Sequence, residues 1–210
     1  MCRRSERLRA LALLGAVCAL AASARAEVPS PEVEARQVVQ STIDQVLHVL
    51  HDGSLSQQVK KDDVEQIAYQ RFDFLLISRL VLAQNWSKFS PKQQADFVEV
   101  FKKHLSTTYR DTLDNFRDEK ITVENARLEP KGDVTVMTLV HGASGDTKVD
   151  YRMRKLQDGW RGIDVIVEGV SLVQNFRSQT QEILSTESPD ALIQRLRDKQ
   201  IKDVAPKGQG

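Results

Sequence analysis

Few side chains in this sequence are of a type and spacing that could do chemistry. There are four histidines, His48, His51, His104 and His141. His48 and His51 lie one helical turn apart with Asp52 beside them, a spacing that could contribute to a metal site. Such a site needs three or four ligands, and a helix end facing water accounts for the trio equally. Gly169-Val170-Ser171-Leu172-Val173 approaches the sharp turn that presents a nucleophilic serine but lacks its second glycine. Asp164 stands in an otherwise apolar strand. Burial would raise its pKa and make it a general acid or base, whereas bonds to Arg161 or to backbone amides would make it structural. The mixed charges from Arg110 to Lys120 read as the solvated side of a helix. The loop from Gly142 to Gly145 joins strands and opens no helix, so it is no phosphate loop. No catalytic set, metal site or cofactor motif assembles from these parts.

The elements that position these residues are best read from Trp160 to Thr180. Ile163, Val165 and Val167 alternate as in a strand with one buried face. Glu168-Gly169 supplies a turn, Ser171 and Gln174 form a capping box, and Leu172, Val173, Phe176, Ile183 and Leu184 follow at helical spacing. One side of this helix is expected to pack on the sheet. Earlier, Ser30-Pro31 opens a helix whose apolar stripe is Val38, Thr42, Ile43, Val46, Leu47 and Leu50, ending at Asp52-Gly53. After a polar linker a second helical region begins at Asp62 or Asp63. Residues 72–86, FDFLLISRLVLAQNW, read as a helix buried on most sides. Ser90-Pro91-Lys92-Gln93 opens a long helix to about Phe116, with Phe97, Phe101, Leu105, Tyr109 and Leu113 every fourth residue. From Lys120 the period changes to that of strands. Ile121 and Val123 begin one, Val134 to Val140 form a second with apolar residues on both faces, and Val149, Tyr151 and Met153 alternate in a third. Turns at Gly132-Asp133, Gly142 to Asp146 and Asp158-Gly159 give a four-stranded antiparallel meander. Ser188-Pro189 caps a last helix carrying Leu192, Ile193 and Leu196. The order of helices, sheet and helices is that of an α+β fold.

The 210 residues allow one ordinary domain or two small ones. Arg3, Arg4, Arg7 and Arg9, a short apolar run and Ala24-Arg25-Ala26 together read as a secretory signal over 1–26. Cys18 does not sit in a lipoprotein signal, because Gly15 replaces the leucine expected three residues upstream and Val17 is not small. Both cysteines, Cys2 and Cys18, fall in this segment. The mature chain would then hold without disulfides and have no thiol chemistry. Removing the signal takes away five arginines and one glutamate, leaving 25 basic and 28 acidic residues and a formal charge of −3 instead of +1. Such a mixed surface has no general attraction for nucleic acid. The domain is expected to span 27–200, with a disordered tail over 201–210.

The blocks WRGIDVIVEGVSLVQNFRSQ at 160–179 and FDFLLISRLVLAQNW followed by SPKQQADFVEVFKKHLSTTY resemble the MlaC family. These are the periplasmic phospholipid carriers of the lipid-asymmetry pathway, also called toluene-tolerance auxiliary proteins. Order and spacing agree from about residue 33 to 200, with one departure at Ala83, where the family usually has glycine. The resemblance implies a sheet like that of the nuclear-transport-factor-2 group, with helices closing over it around an acyl-chain pocket. It implies phospholipid as ligand, no cofactor and no reaction. The implied partners are an outer-membrane lipoprotein complex and the substrate-binding subunit of an inner-membrane ABC transporter. By carry-over the pocket residues are Phe72, Leu76, Leu80, Phe97, Phe101, Leu105 and Tyr109 from the helices. From the sheet and its corner they are Val136, Tyr151, Met153, Val165, Val167 and Phe176.

Three other readings stay open at this point. The cargo is a hopanoid or another polycyclic lipid; or the protein is a nuclear-transport-factor-2-like enzyme using Asp164 as base; or it is a periplasmic adaptor with a solid core. The absence of a heptad seam makes a monomer the expected state.

Overall fold

The structure is a computed structural model that describes residues 29–110, 113–114, 116, 119–143 and 145–201. The expected signal segment and the tail beyond Ile201 lie outside the described residues. Ile201 itself is buried against the helical core.

Helix α1 (Pro31–His51) opens with Ser30, whose hydroxyl accepts from the Val33 amide, and with Pro31 at its first position. Its buried stripe is Ala35, Val39 and Ile43, with Val38 and Leu47 beside it. This face is turned from the one expected, towards Ala35 and Val39. Helix α2 (Gln57–Arg71) starts at the Ser56 cap, so what reads in the sequence as a polar linker before Asp62 is already helical. No residue of α2 is buried, which is why its first turn carries no apolar signal. The 72–86 segment is not one helix. Phe72 forms a bridge to Gly162, Asp73 caps α3 (Phe74–Leu82) by accepting from the Leu76 amide, and a 3₁₀ helix follows from Ala83 to Lys88. The break falls at Ala83, with φ 49° and ψ −123°, a conformation that favours glycine. Helix α4 (Pro91–Arg110) carries the expected reciprocal box, Ser90 Oγ accepting from the Gln93 amide and Gln93 Oε1 from the Ser90 amide.

The sheet is an antiparallel meander of five strands in sequence order, β1 (Lys120–Leu128), β2 (Val134–Gly142), β3 (Gly145–Leu156), β4 (Gly159–Val167) and β5 (Val170–Ser171). The strand not expected is the two-residue β5, in which Ser171 pairs with Ile166 and also caps α5 (Leu172–Thr186). Glu168 and Gly169 both have positive φ, 49° and 80°, which suits the tight turn between β4 and β5. Helix α6 (Pro189–Arg197) closes the chain.

Two clusters share the interior. In one, α1 covers Val123, Val134, Val136, Met153 and Trp160. Glu34 fixes it there, accepting from Trp160 Nε1 at 2.9 Å and from Lys155 Nζ at 2.5 Å. In the other, α3, α4, α5 and α6 pack on one another through Val81, Leu82, Phe97, Phe101, Phe176, Leu192 and Leu196. Helix α5 therefore buries its apolar side mainly among helices, whereas the sequence placed that side on the sheet. Its Arg177 and Thr180 donate to the Leu80 and Val81 carbonyls of α3. No helix among the described residues is long and apolar enough to cross a membrane.

Candidate functional site

Between the two clusters the helices and the sheet do not close completely. A cavity of about 290 Å³ remains, bounded by α2, the start of α3, the second half of α4, strand β4 and the first turns of α5. Its walls are mainly apolar. Val64, Ala68 and Tyr69 come from α2, Phe72, Phe74 and Ile77 from the next segment, Phe101, Leu105 and Tyr109 from α4, Val165 from β4, and Leu172, Val173 and Phe176 from α5. The back wall is rigid. Phe101 stacks on Phe97 with centroids 5.5 Å apart and meets Phe176 edge-on at 5.0 Å.

Polar groups gather where α2 meets the end of α4. Arg110 donates to Glu65 at 2.7 Å and to Asp62 at 2.6 Å, and Lys61 pairs with Asp114 at 2.6 Å. Asp62 and Asp114 are about half exposed, so this end of the cavity faces solvent. The Tyr69 hydroxyl donates to Glu65. Burial works to raise the Glu65 pKa, but the Tyr69 hydroxyl and the charges of Lys103 and Arg110 outweigh it and hold the carboxyl below its ordinary range. Burial and the neighbouring carboxylate both push the Tyr69 phenol up.

Asp164 also borders the cavity, yet it is 3% exposed and its oxygens are engaged. It accepts from Ser171 Oγ at 2.5 Å and from the Val173 amide at 3.1 Å, with Arg152 at 3.9 Å. Burial raises its pKa despite these donors. Its place is structural, tying the first turn of α5 to β4. The partners are Ser171 and a helix-terminal amide, not Arg161, which pairs with Asp158.

Of the expected pocket residues, Phe72, Phe101, Leu105, Tyr109, Val165 and Phe176 stand on the cavity wall. The others do not. Phe97 lies behind Phe101, and Leu80 packs against the same cluster. Leu76 is half-buried in α3 without reaching the wall. Val136, Met153 and Tyr151 are taken by α1, and Val167 sits at the far end of β4, paired with Val149 and Val170. The physical reason is that α1 fills the sheet face over β1 to β3, leaving β4 as the strand that reaches the cavity. The sequence reading placed a helix here from Asp62 or Asp63 but named none of its residues for the pocket, although Lys61, Val64, Glu65, Ala68 and Tyr69 recur at helical spacing. A stripe that mixes charged and small residues does not register as an apolar face. His48 and His51 occupy the last turn of α1, where the His51 ring lies 5.8 Å from Phe116.

Three comparisons bear on this arrangement. The chain is 28% identical over 116 residues to the toluene tolerance protein ttg2D of Pseudomonas putida, and the aligned part spans 54% of each chain, about half the length of that relative. Its fold is similar to that of a phospholipid-binding protein from Ralstonia solanacearum solved in complex with a phospholipid. The two share 26% identity and a TM-score of 0.71, over 79% of this chain and 96% of that one. Residues 40–198, from the middle of α1 to the cap of α6, match the model of the MlaC protein family, and the chain belongs to that family.

Proposed function

We propose that this protein is a periplasmic phospholipid carrier. It holds acyl chain in the cavity between β4 and helices α2 to α5 and keeps the polar head at the Lys61 and Arg110 end. The observation that carries the reading is that cavity, apolar along its length and charged where it meets water. The similar Ralstonia protein was solved with a phospholipid, and the Pseudomonas relative takes its name from toluene tolerance, a phenotype that fits upkeep of a lipid barrier. The proposed partners are an inner-membrane ABC transporter and an outer-membrane complex, between which lipid is handed on. Burying ~30 methylenes is worth roughly 25 kcal/mol gross at about 0.8 per group. A bilayer offers nearly the same, so the carrier has only to match the membrane, and small differences between partners set direction. No step of bond making is part of this role, and Asp164, with its oxygens engaged, serves the fold.

The test is native mass spectrometry with lipid extraction on protein purified from the periplasm without detergent. A stoichiometric added mass that resolves into phospholipids is expected. A bare mass in repeated preparations, with no uptake from phosphatidylglycerol vesicles, would overturn the reading, and a polycyclic lipid in its place would overturn the cargo.

A further inference from the structure

The cavity is too small for the cargo just proposed. A methylene is about the size of a water molecule, whose share of liquid volume is about 30 Å³, so ~30 of them need roughly 900 Å³, against about 290 Å³ present. One wall must therefore move when both chains of a diacyl lipid enter. The walls differ sharply in what holds them. Phe101, Phe176 and Ile77 are buried members of the helical core, and β4 is paired along its length with β3. Helix α2 has no buried residue. Its apolar side chains Val64, Ile67, Ala68 and Tyr69 are only half-buried, Tyr69 meeting Phe74 edge-on with Lys102 over its ring, and its remaining ties to other elements include several polar ones. They run from Lys60 to the Leu50 carbonyl, from Arg71 to Gln45, from Lys61 to Asp114 and, above all, from Arg110 to both Asp62 and Glu65.

The ends of α2 suit a moving wall. At one end the residues Asp52 to Ser56 form a turn after α1. At the other, Phe72 bridges to Gly162 and the Asp73 amide donates to the Gly162 carbonyl at 3.1 Å, which pins the point where α2 meets α3. The Lys61–Asp114 and Arg110–Asp62 pairs each have a carboxylate about half exposed and exchange with water at little cost, whereas leaving the core does not. Segments held in this way open at the low end of a protein's range of local stabilities.

We propose that α2 is a lid, latched by the two-carboxylate grip of Arg110, and that unlatching it enlarges the cavity to admit both chains of a diacyl lipid. This rests on the phospholipid-carrier reading. A single chain of about eight carbons, roughly 240 Å³ by the same measure, fits the latched cavity, and a two-chain lipid requires the lid to lift.

No described residue is a cysteine, so a Lys61→Cys/Asp114→Cys pair can be joined by a short bismaleimide to staple α2 to the residues that follow α4. Uptake is then measured by native mass spectrometry for octanoate and for dipalmitoyl phosphatidylglycerol vesicles. The stapled protein is expected to take up octanoate like the unstapled pair and to lose diacyl uptake at least tenfold. In Arg110→Gln, hydrogen exchange is expected to rise across α2 and stay unchanged in α4 and β4. Diacyl uptake by the stapled protein at the unstapled rate, or α2 amides in Arg110→Gln as protected as those of α4, would overturn the lid and leave the carrier reading standing. No phospholipid uptake by the wild-type protein would overturn the carrier reading and the lid with it.

Discussion

At Gly162 strand β4 passes directly under the Phe72 ring. A Cβ at this position would lie 2.6 Å from both Cδ1 and Cε1 of Phe72. Carbon atoms in contact settle at about 3.5–4.0 Å, so Gly162→Ala drives the ring away by roughly 1 Å. The backbone cannot yield easily, because the bridge between Phe72 and Gly162 and the bond from the Asp73 amide pin both sides. The ring has to turn towards the cavity it lines, with Phe74 beside it at 6.3 Å. Overpacking of this kind costs about 1–3 kcal/mol, and about 2 kcal/mol is expected here, with reduced lipid content. Phe72→Ala removes the obstacle. In that background Gly162→Ala should be close to neutral, giving a coupling of about 2 kcal/mol where independent sites add to within about 0.5. The assay is urea unfolding of the four proteins in the cycle, each stripped of lipid so that ligand does not shift the midpoints. Equal cost of Gly162→Ala in both backgrounds would refute the steric argument.

Three further outcomes are expected. Ala83→Gly should stabilise the protein by about 1 kcal/mol, because glycine adopts the φ of 49° without the strain a Cβ brings; no gain in the urea midpoint would remove strain as the feature of that break. Burial raises the Asp164 pKa in the fold, so its contribution is full below the unfolded value of about 3.9 and is lost as pH rises through the folded one. Asp164→Asn should therefore gain on the wild type as pH rises from 3 to 7 in urea unfolding, and a constant difference would contradict the burial. Tyr151 is pushed up to about 12 by burial, so its contribution should persist to about pH 10 and be lost as pH rises towards the folded value. Tyr151→Phe should blunt that alkaline loss, read by circular dichroism from pH 9 to 12, and identical profiles would count against it.

The sequence made some of this legible because certain signals are local. Ser90 with Gln93, Ser171 with Gln174, and the prolines after Ser30 and Ser188 each mark a helix start through bonds within one turn. The alternation from Lys120 to Val167 specifies a meander because neighbouring strands are joined by short turns. What was not legible depends on partners distant in the chain. Val136 and Met153 look as available as Val165, and it is α1, over 90 residues upstream, that covers the first two and leaves the third. The start of α2 at Ser56 and its place on the cavity wall were not legible, because the partners Arg110, Asp114 and Gln45 that meet it lie elsewhere in the chain. The departure at Ala83 was visible as a residue where the resemblance has glycine, and its meaning came only with the positive φ.

The claim that acyl chain lies between α2, α4, α5 and β4 is tested most directly by site-specific photo-crosslinking to bound lipid. A benzophenone amino acid would be placed at Leu105, on the cavity wall, and at Met137, which alternates with the α1-covered Val136 and so sits on the opposite sheet face. The account expects phosphatidylglycerol attached at position 105 and none at 137. Attachment at 137 with none at 105 would contradict it.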